Sequence, residues 1–224
     1  MMKKGDIYTA AQLMELIDEM GFLPLLDSGI RGFSAEEMVA DDCRYVVFPD
    51  GGWDWPLWKW KGPIVAEGGC MYGKFFAGKA GFISKQWWPD FCHYRRSVHP
   101  VPEEGSIEDA ILQTLRERGS LITRQLRAAC GFTGPKMRSK FDGYVTRLQM
   151  GTYIVTEDFV YPRDKHQREY GWGWSLLTTP EQLYGKDSCQ PCQCTPQASF
   201  DRMVAHLRDV LPEATEGQIV RMLR

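Results

Sequence analysis

The sequence predicts an α+β fold, and three features of it carry that expectation. Apolar residues recur at helical spacing behind serine and threonine caps, β-prone stretches lie between glycine turns, and the two kinds of segment alternate irregularly along the chain. With 224 residues, 43% of them apolar and 25% charged, the chain can bury one large core or two small ones.

The elements follow in order. Thr9 with Gln12 forms a capping-box pattern ahead of Leu13, Leu16, Ile17 and Met20, which fall on one helical face that Gly21 closes. Ser34 with Glu37 starts a second, shorter helix, and residues 44–48 (RYVVF) read as a buried strand. From residue 49 to 96 the composition changes. Trp53, Trp55, Trp58, Trp60, Trp87 and Trp88 stand among glycines, prolines and lysines, which predicts a small twisted antiparallel sheet. Its clearest piece is a hairpin, MYGKFF and AGFIS around Ala77, Gly78 and Lys79. Residues 97–106 (SVHPVPEEGS) resist helix and strand alike and mark a linker.

After the linker, Ser106 caps a helix carrying Ile107, Ala110, Ile111 and Leu115, and Gly119 ends it. Thr123 is expected to cap a short second helix closed by Gly131, and Gly134 and Pro135 open a third. Two β-prone segments, residues 152–161 and 170–178, then flank the charged loop PRDKHQRE. Three helices followed by strand, charged loop and strand is the order of a winged helix. The expected layout is therefore an N-terminal Trp-rich α/β part (1–105), a winged-helix module of three helices plus a β-wing (106–185), and a Cys-containing loop with a C-terminal helical cap (186–224).

Net charge is −2, so partners must be read by segment. Lys and Arg stand against Asp and Glu as 11 to 15 in residues 1–105, 11 to 8 in 106–178 and 5 to 6 in 179–224. The basic middle segment points to nucleic acid. On the third helix Met137, Phe141, Tyr144, Val145 and Leu148 take the inner face, leaving Lys136, Arg138, Lys140 and Arg147 outside, and the wing adds Arg163, Lys165, His166 and Arg168. A solvated basic face, or a module that contacts protein, is the alternative.

The tryptophan-rich stretch 53–63 has two readings as well: a strand or turn packing rings into a core, or a pocket where Trp53, Trp55, Trp58 and Tyr72 stack on a base beside Lys74, Lys79, Arg95 and Arg96. Candidate catalytic acids are Asp54, Glu67 and Asp90, none at a spacing that specifies acid–base chemistry. His93 and His99 read as surface residues. Cys189, Cys192 and Cys194 form CxxCxC, three thiolates that would need a fourth ligand such as His206 to hold zinc. The other four cysteines read as single buried thiols, and no cofactor is implied. No apolar run of about 20 residues suits a membrane helix, and the polar N-terminus has no signal-peptide pattern, so a cytoplasmic, membrane-free protein with DNA as partner is expected.

The strings YGKFF, FISKQWWPDF, YRR and GWGWSLLTTPEQLYG resemble, over nearly the whole chain, proteins described as AlkZ-related, distant relatives of bacterial winged-helix DNA glycosylases. The resemblance implies a DNA-associated winged-helix fold and a link to DNA repair. Those glycosylases use a Gln-x-Gln or Gln-x-Asp motif to position the attacking water. This chain has neither; its nearest approach, Gln167-Arg168-Glu169, lies in the expected wing. An enzyme hydrolysing the N-glycosidic bond of a damaged base and a non-catalytic protein-interaction module stand as alternatives to a DNA-binding protein.

Overall fold

The computed structural model describes residues 5–169 and 171–224. Residues 1–4, and Tyr170 at the start of the last expected strand, lie outside them. Helices and small antiparallel sheets are mixed along the chain, an α+β arrangement.

Helix α1 (Ala10–Met20) begins where Thr9 Oγ1 accepts the Gln12 N–H at 3.2 Å and Gln12 Oε1 accepts the Tyr8 N–H at 2.8 Å. Its buried face is Leu13, Leu16, Ile17 and Met20. Strand β1 (Phe22–Pro24) and helix α2 (Ala35–Met38), capped by Ser34, follow. The expected buried strand at 44–48 is reduced to β2 (Val46–Val47), paired over two residues with β3 (Trp53–Asp54). It is exposed, Val47 at 62% and Phe48 at 46%, since a ladder two residues long in a two-stranded sheet buries little.

The stretch 53–63 is likewise not an extended strand. It turns helical at Pro56, the first residue of α3 (Pro56–Ala66), where proline's fixed φ and missing N–H suit the helix start. Trp55 and Trp58 then fall three residues apart and meet on one side. Strands β4 (Cys70–Phe76) and β5 (Lys79–Ser84) form the expected hairpin, with Ala77 at φ 49° and Gly78 at φ 80° in its tight turn. The sheet order is β1-β5-β4. Helix α4 (Trp88–Val98) completes this half.

The second half contains α5 (Ile107–Arg118), β6 (Leu121–Ile122), α6 (Thr123–Ala129), a one-turn 3-10 helix (Pro135–Met137) leading into α7 (Arg138–Met150), β7 (Val155–Val160) and β8 (Trp174–Thr178). Its strands order as β6-β8-β7, all antiparallel. Ile122, not Thr123, is the cap residue of α6: Thr123 is already helical and its hydroxyl donates to the Ser175 carbonyl at 3.2 Å. Ile111, Leu112, Leu115, Leu126, Phe141, Leu148, Ile154 and Leu177 form a separate core, each burial favouring the fold by about 1.5–3 kcal/mol.

Helices α8 (Pro180–Tyr184), α9 (Pro196–Val210) and α10 (Glu216–Leu223) end the chain. Phe200, Met203, Leu207, Ile219, Met222 and Leu223 enter the core of the N-terminal half, so both chain ends build one hydrophobic unit around α4. Arg95 and Arg96 join this unit to the other. Fully buried Arg95 donates from Nε to the Met150 carbonyl at 2.6 Å and from Nη1 to the Leu223 carbonyl at 3.0 Å and the Arg224 carbonyl. Arg96 pairs with Glu181 at 2.7 Å and donates to the Thr152 carbonyl at 3.0 Å.

Candidate nucleic-acid interface and aromatic cluster

The aromatic residues around α3 gather into one cluster. Trp55 and Trp58 stack at 4.9 Å between centroids, and Tyr45 stacks on Trp53 at 5.6 Å. The loop between β7 and β8 supplies a further ring: Trp172 stacks on Trp53 at 5.2 Å and stands edge-on to Trp55 and Trp58 at 5.9 and 5.5 Å. Offset and edge-on pairs of this kind each add about 0.5–1.5 kcal/mol beyond burial. Trp58 Nε1 donates to the Trp172 carbonyl at 3.1 Å. Local sequence explains the approach of Trp172. Gly171 (φ 75°) and Gly173 (φ 72°) on either side hold the left-handed backbone that turns it inward, and a Cβ at Gly173 would lie 3.0 Å from the Tyr161 ring.

Packing and accessibility coexist in this cluster. Trp55 and Trp58 pack against the core of the N-terminal half, whereas Tyr45, Trp53 and Trp172 remain 48%, 47% and 49% exposed. The two readings of the tryptophan-rich stretch therefore divide by residue: its inner rings are core, and its outer rings present an aromatic face to solvent.

Beneath Trp58 lies Lys61, fully buried, its Nζ 3.9 Å from the Trp58 ring centroid and 3.2 Å from that of Phe159 on β7, with no hydrogen-bond acceptor among the described residues. Burial drives its pKa down to about 7, against the opposing pull of Asp158. Attraction to the two ring faces offsets only part of the several kcal/mol that desolvation costs a charge. Trp58 and Tyr72 also line a cavity of about 480 Å³ with Leu25, Leu26, Glu36 and Lys79.

The other basic residues expected near this pocket stand elsewhere. Lys74 donates from Nζ to Thr146 Oγ1 on α7 at 3.2 Å, and Arg95 and Arg96 brace the junction between the two halves. Among the candidate acids, Asp54 is taken by Lys59 at 2.5 Å, and that bond holds its carboxyl below the usual range. Asp90 is paired with Arg202, and Glu67 is an exposed residue at the end of α3. None of the three lies on the cavity wall.

On the second half, Arg124 and Arg127 of α6 and Arg138 of α7 line a shallow cleft with Thr123, Asp142 and Trp174. Lys136 and Lys140 are exposed near the start of α7. Arg147 is committed elsewhere: it lies 2.6 Å from Glu108 of α5, at the linker end of the module. The charged loop is an ordered turn. Asp164 Oδ1 accepts the His166 and Arg168 N–H groups at 2.7 and 3.0 Å, and Arg163 pairs with Glu169 at 3.3 Å. Arg168 lies 3.5 Å from Asp164, while Lys165 and His166 are exposed at the tip.

The three clustered cysteines diverge. Cys189 Sγ lies 3.1 Å from Cys92 Sγ, Cys192 Sγ 3.8 Å from Asp90 Oδ1, and Cys194 Sγ 3.3 Å from Ser199 Oγ, which His93 Nδ1 also meets at 3.2 Å. His206 is unsuited as a fourth ligand, since it stacks on Trp87 at 4.5 Å and its Nε2 faces the Met20 carbonyl. Among the described residues no three His, Cys, Asp or Glu side chains are placed to hold a metal ion, and no helix is long and apolar enough to cross a membrane.

Sequence reasoning missed Tyr45, Lys61, Trp172, Arg124 and Arg127. For the two arginines the signal was present, in a helix placed directly before the one read as basic. Tyr45 and Trp172 come together only in three dimensions, from positions more than a hundred residues apart. No curated protein and no solved structure gives a significant match to the chain. A family model described as "AlkZ related" matches residues 7–224, nearly the full length, and the chain belongs to the AlkZ-related family.

Proposed function

We propose that this protein binds DNA through a winged-helix module, with α7 presented to a groove, the tip of the β7–β8 wing and the α6–α7 cleft holding phosphates, and the outer aromatic rings stacking on an exposed base. The observation that carries the reading is the placement of Trp172: the loop that carries Lys165 and His166 also delivers this ring to the half-exposed stack of Tyr45 and Trp53. Exposed cationic groups and a half-exposed ring carried by the same loop match what a nucleic-acid strand offers, phosphates and flat bases. The order helix, strand, two helices, strand, wing, strand supports the assignment of the module. Membership in the AlkZ-related family supports the choice of DNA and the association with repair.

Binding of labelled duplex, mismatched duplex and single-stranded DNA, followed by fluorescence anisotropy at low salt, tests this. Affinity for all three, strongest where a base is unpaired, is the expected pattern. Absence of binding at low salt would refute it. A second reading, hydrolysis of a damaged base, draws on the cavity walled by Trp58, Tyr72 and Lys79. It requires an acid other than the three expected from sequence. Alkali-labile abasic sites in alkylated duplex after incubation would establish it, and intact strands would dismiss it.

A further inference from the structure

Of the seven cysteines, two face each other. Cys92, in the middle of α4, is fully buried, and Cys189, at the end of the one-turn 3-10 helix Lys186–Cys189, is 8% exposed. Their sulfurs are 3.1 Å apart, about 1 Å beyond an S–S bond of ~2.05 Å. The remaining thiols have no such partner: Cys192 and Cys194 face Asp90 and Ser199, and Cys43, Cys70 and Cys130 sit apart. The pair lies 97 positions apart in sequence, and everything from α5 to β8 falls between its members.

We propose that Cys92 and Cys189 are a redox modification site, at which a hydroperoxide closes a disulfide that clamps together, within the core of the N-terminal half, the segments leading into and out of the second half. The two sulfurs differ in character. The Cys92 thiol and the Arg96 guanidinium hold the Cys189 sulfur on the thiolate side of its ordinary value, whereas burial pushes Cys92 up. Cys189, with its small exposed surface, is thus the sulfur that meets the peroxide. Its thiolate attacks the terminal peroxide oxygen, the O–O bond breaks, and the other oxygen leaves as alkoxide or hydroxide that takes up the proton the thiol had released, giving a sulfenic acid and an alcohol or water. Cys92 then attacks the Cys189 sulfur, the S–O bond breaks, and water departs with the Cys92 proton. Two thiols lose two electrons in total, and the peroxide is reduced to one alcohol and one water.

The consequence is mechanical. Cys92 lies six residues before the end of α4 and Cys189 eleven after the end of β8, both within the core of the N-terminal half, so the crosslink ties together, inside that core, the segments that lead into and out of the stretch from α5 to β8. A loop of this length, when closed, restricts the unfolded chain strongly, and a rise in Tm of about 10 °C is expected for a protein of this size.

The test uses the full chain exposed to hydrogen peroxide or diamide, quenched and digested without reductant. Expected are a peptide linking Cys92 to Cys189, a fall from seven titratable thiols to five, and a raised Tm that dithiothreitol reverses. The C192A/C194A variant should retain the linked peptide and the reversible rise in Tm, with its titratable thiols falling from five to three. C92A and C189A should each lack the linked peptide, and since the decisive measurement is made on the wild type, poor folding of either variant leaves it intact. Seven thiols persisting in the folded protein, or a dominant link from Cys189 to Cys192 or Cys194, overturns the site. A Cys92–Cys189 link with unchanged or lowered Tm overturns the clamp.

Discussion

Replacing Lys61 with methionine should stabilise this protein, and the gain should depend on pH in a defined direction. The amine is fully buried between the Trp58 and Phe159 rings without an acceptor, and its pKa is pushed from 10.5 to about 7. Because the folded value lies below the unfolded one, the unfolded chain binds the extra proton between about pH 7 and 10.5. Stability therefore rises with pH through that window, and the full penalty stands below about pH 7. A shift of this size corresponds to a ceiling of about 5 kcal/mol at 1.36 kcal/mol per unit. Attraction of the ammonium to the two rings lowers it to about 3 kcal/mol. Methionine fits the same space and keeps a favourable sulfur–ring contact. Guanidinium unfolding at pH 6 and pH 9 should give K61M an advantage of about 3–5 kcal/mol at the lower pH and about 2 kcal/mol at the higher. An advantage that does not change with pH would show that Lys61 is not a buried amine of lowered pKa, and a loss at both would show that it makes an interaction methionine cannot replace.

Two further substitutions test the junctions. Gly173→Ala places a methyl 3.0 Å from the Tyr161 ring at φ 72°; a loss of about 1–2 kcal/mol and a red-shifted tryptophan emission as Trp172 leaves the stack are expected, and an unchanged Tm and spectrum would contradict the role given to that glycine. Arg95→Met strands the Met150, Leu223 and Arg224 carbonyls without their donor, which should cost about 3 kcal/mol. A thermal melt within 2 °C of wild type, by roughly the scaling for this chain length, would show that those carbonyls find other partners.

The capped helices were legible in the sequence because their signals are local. Thr9 with Gln12, Ser34 with Glu37 and Ser106 act within one turn, and the β4–β5 hairpin declares itself in a few residues around Gly78. The stretch 53–63 misled because alternating tryptophans mimic a strand, and proline at position 56 reads equally as a strand breaker or as the first residue of a helix. Residues 44–48 have strand composition, but burial depends on neighbours the local sequence does not specify. For the site, the type of each residue was visible and its partner was not. Arg147 reads as a free cation until Glu108 is found beside it, and Arg95 reads as a cation of the aromatic pocket until three carbonyls enclose it. Trp172 is the reverse case, an inconspicuous residue in a glycine-rich string that becomes the bridge between the two halves once both are folded.

In the proposed function, the second half of the chain holds DNA through its cations. Its most direct test is the salt dependence of duplex affinity for the wild type and for a variant in which Arg124, Arg138, Lys140 and Lys165 are all alanine. On this account the slope of log K against log salt becomes shallower by about 0.9 for each phosphate that is no longer neutralised, and affinity at low salt falls by roughly tenfold or more. Parallel lines with equal affinity, or no measurable binding by the wild type, would contradict it.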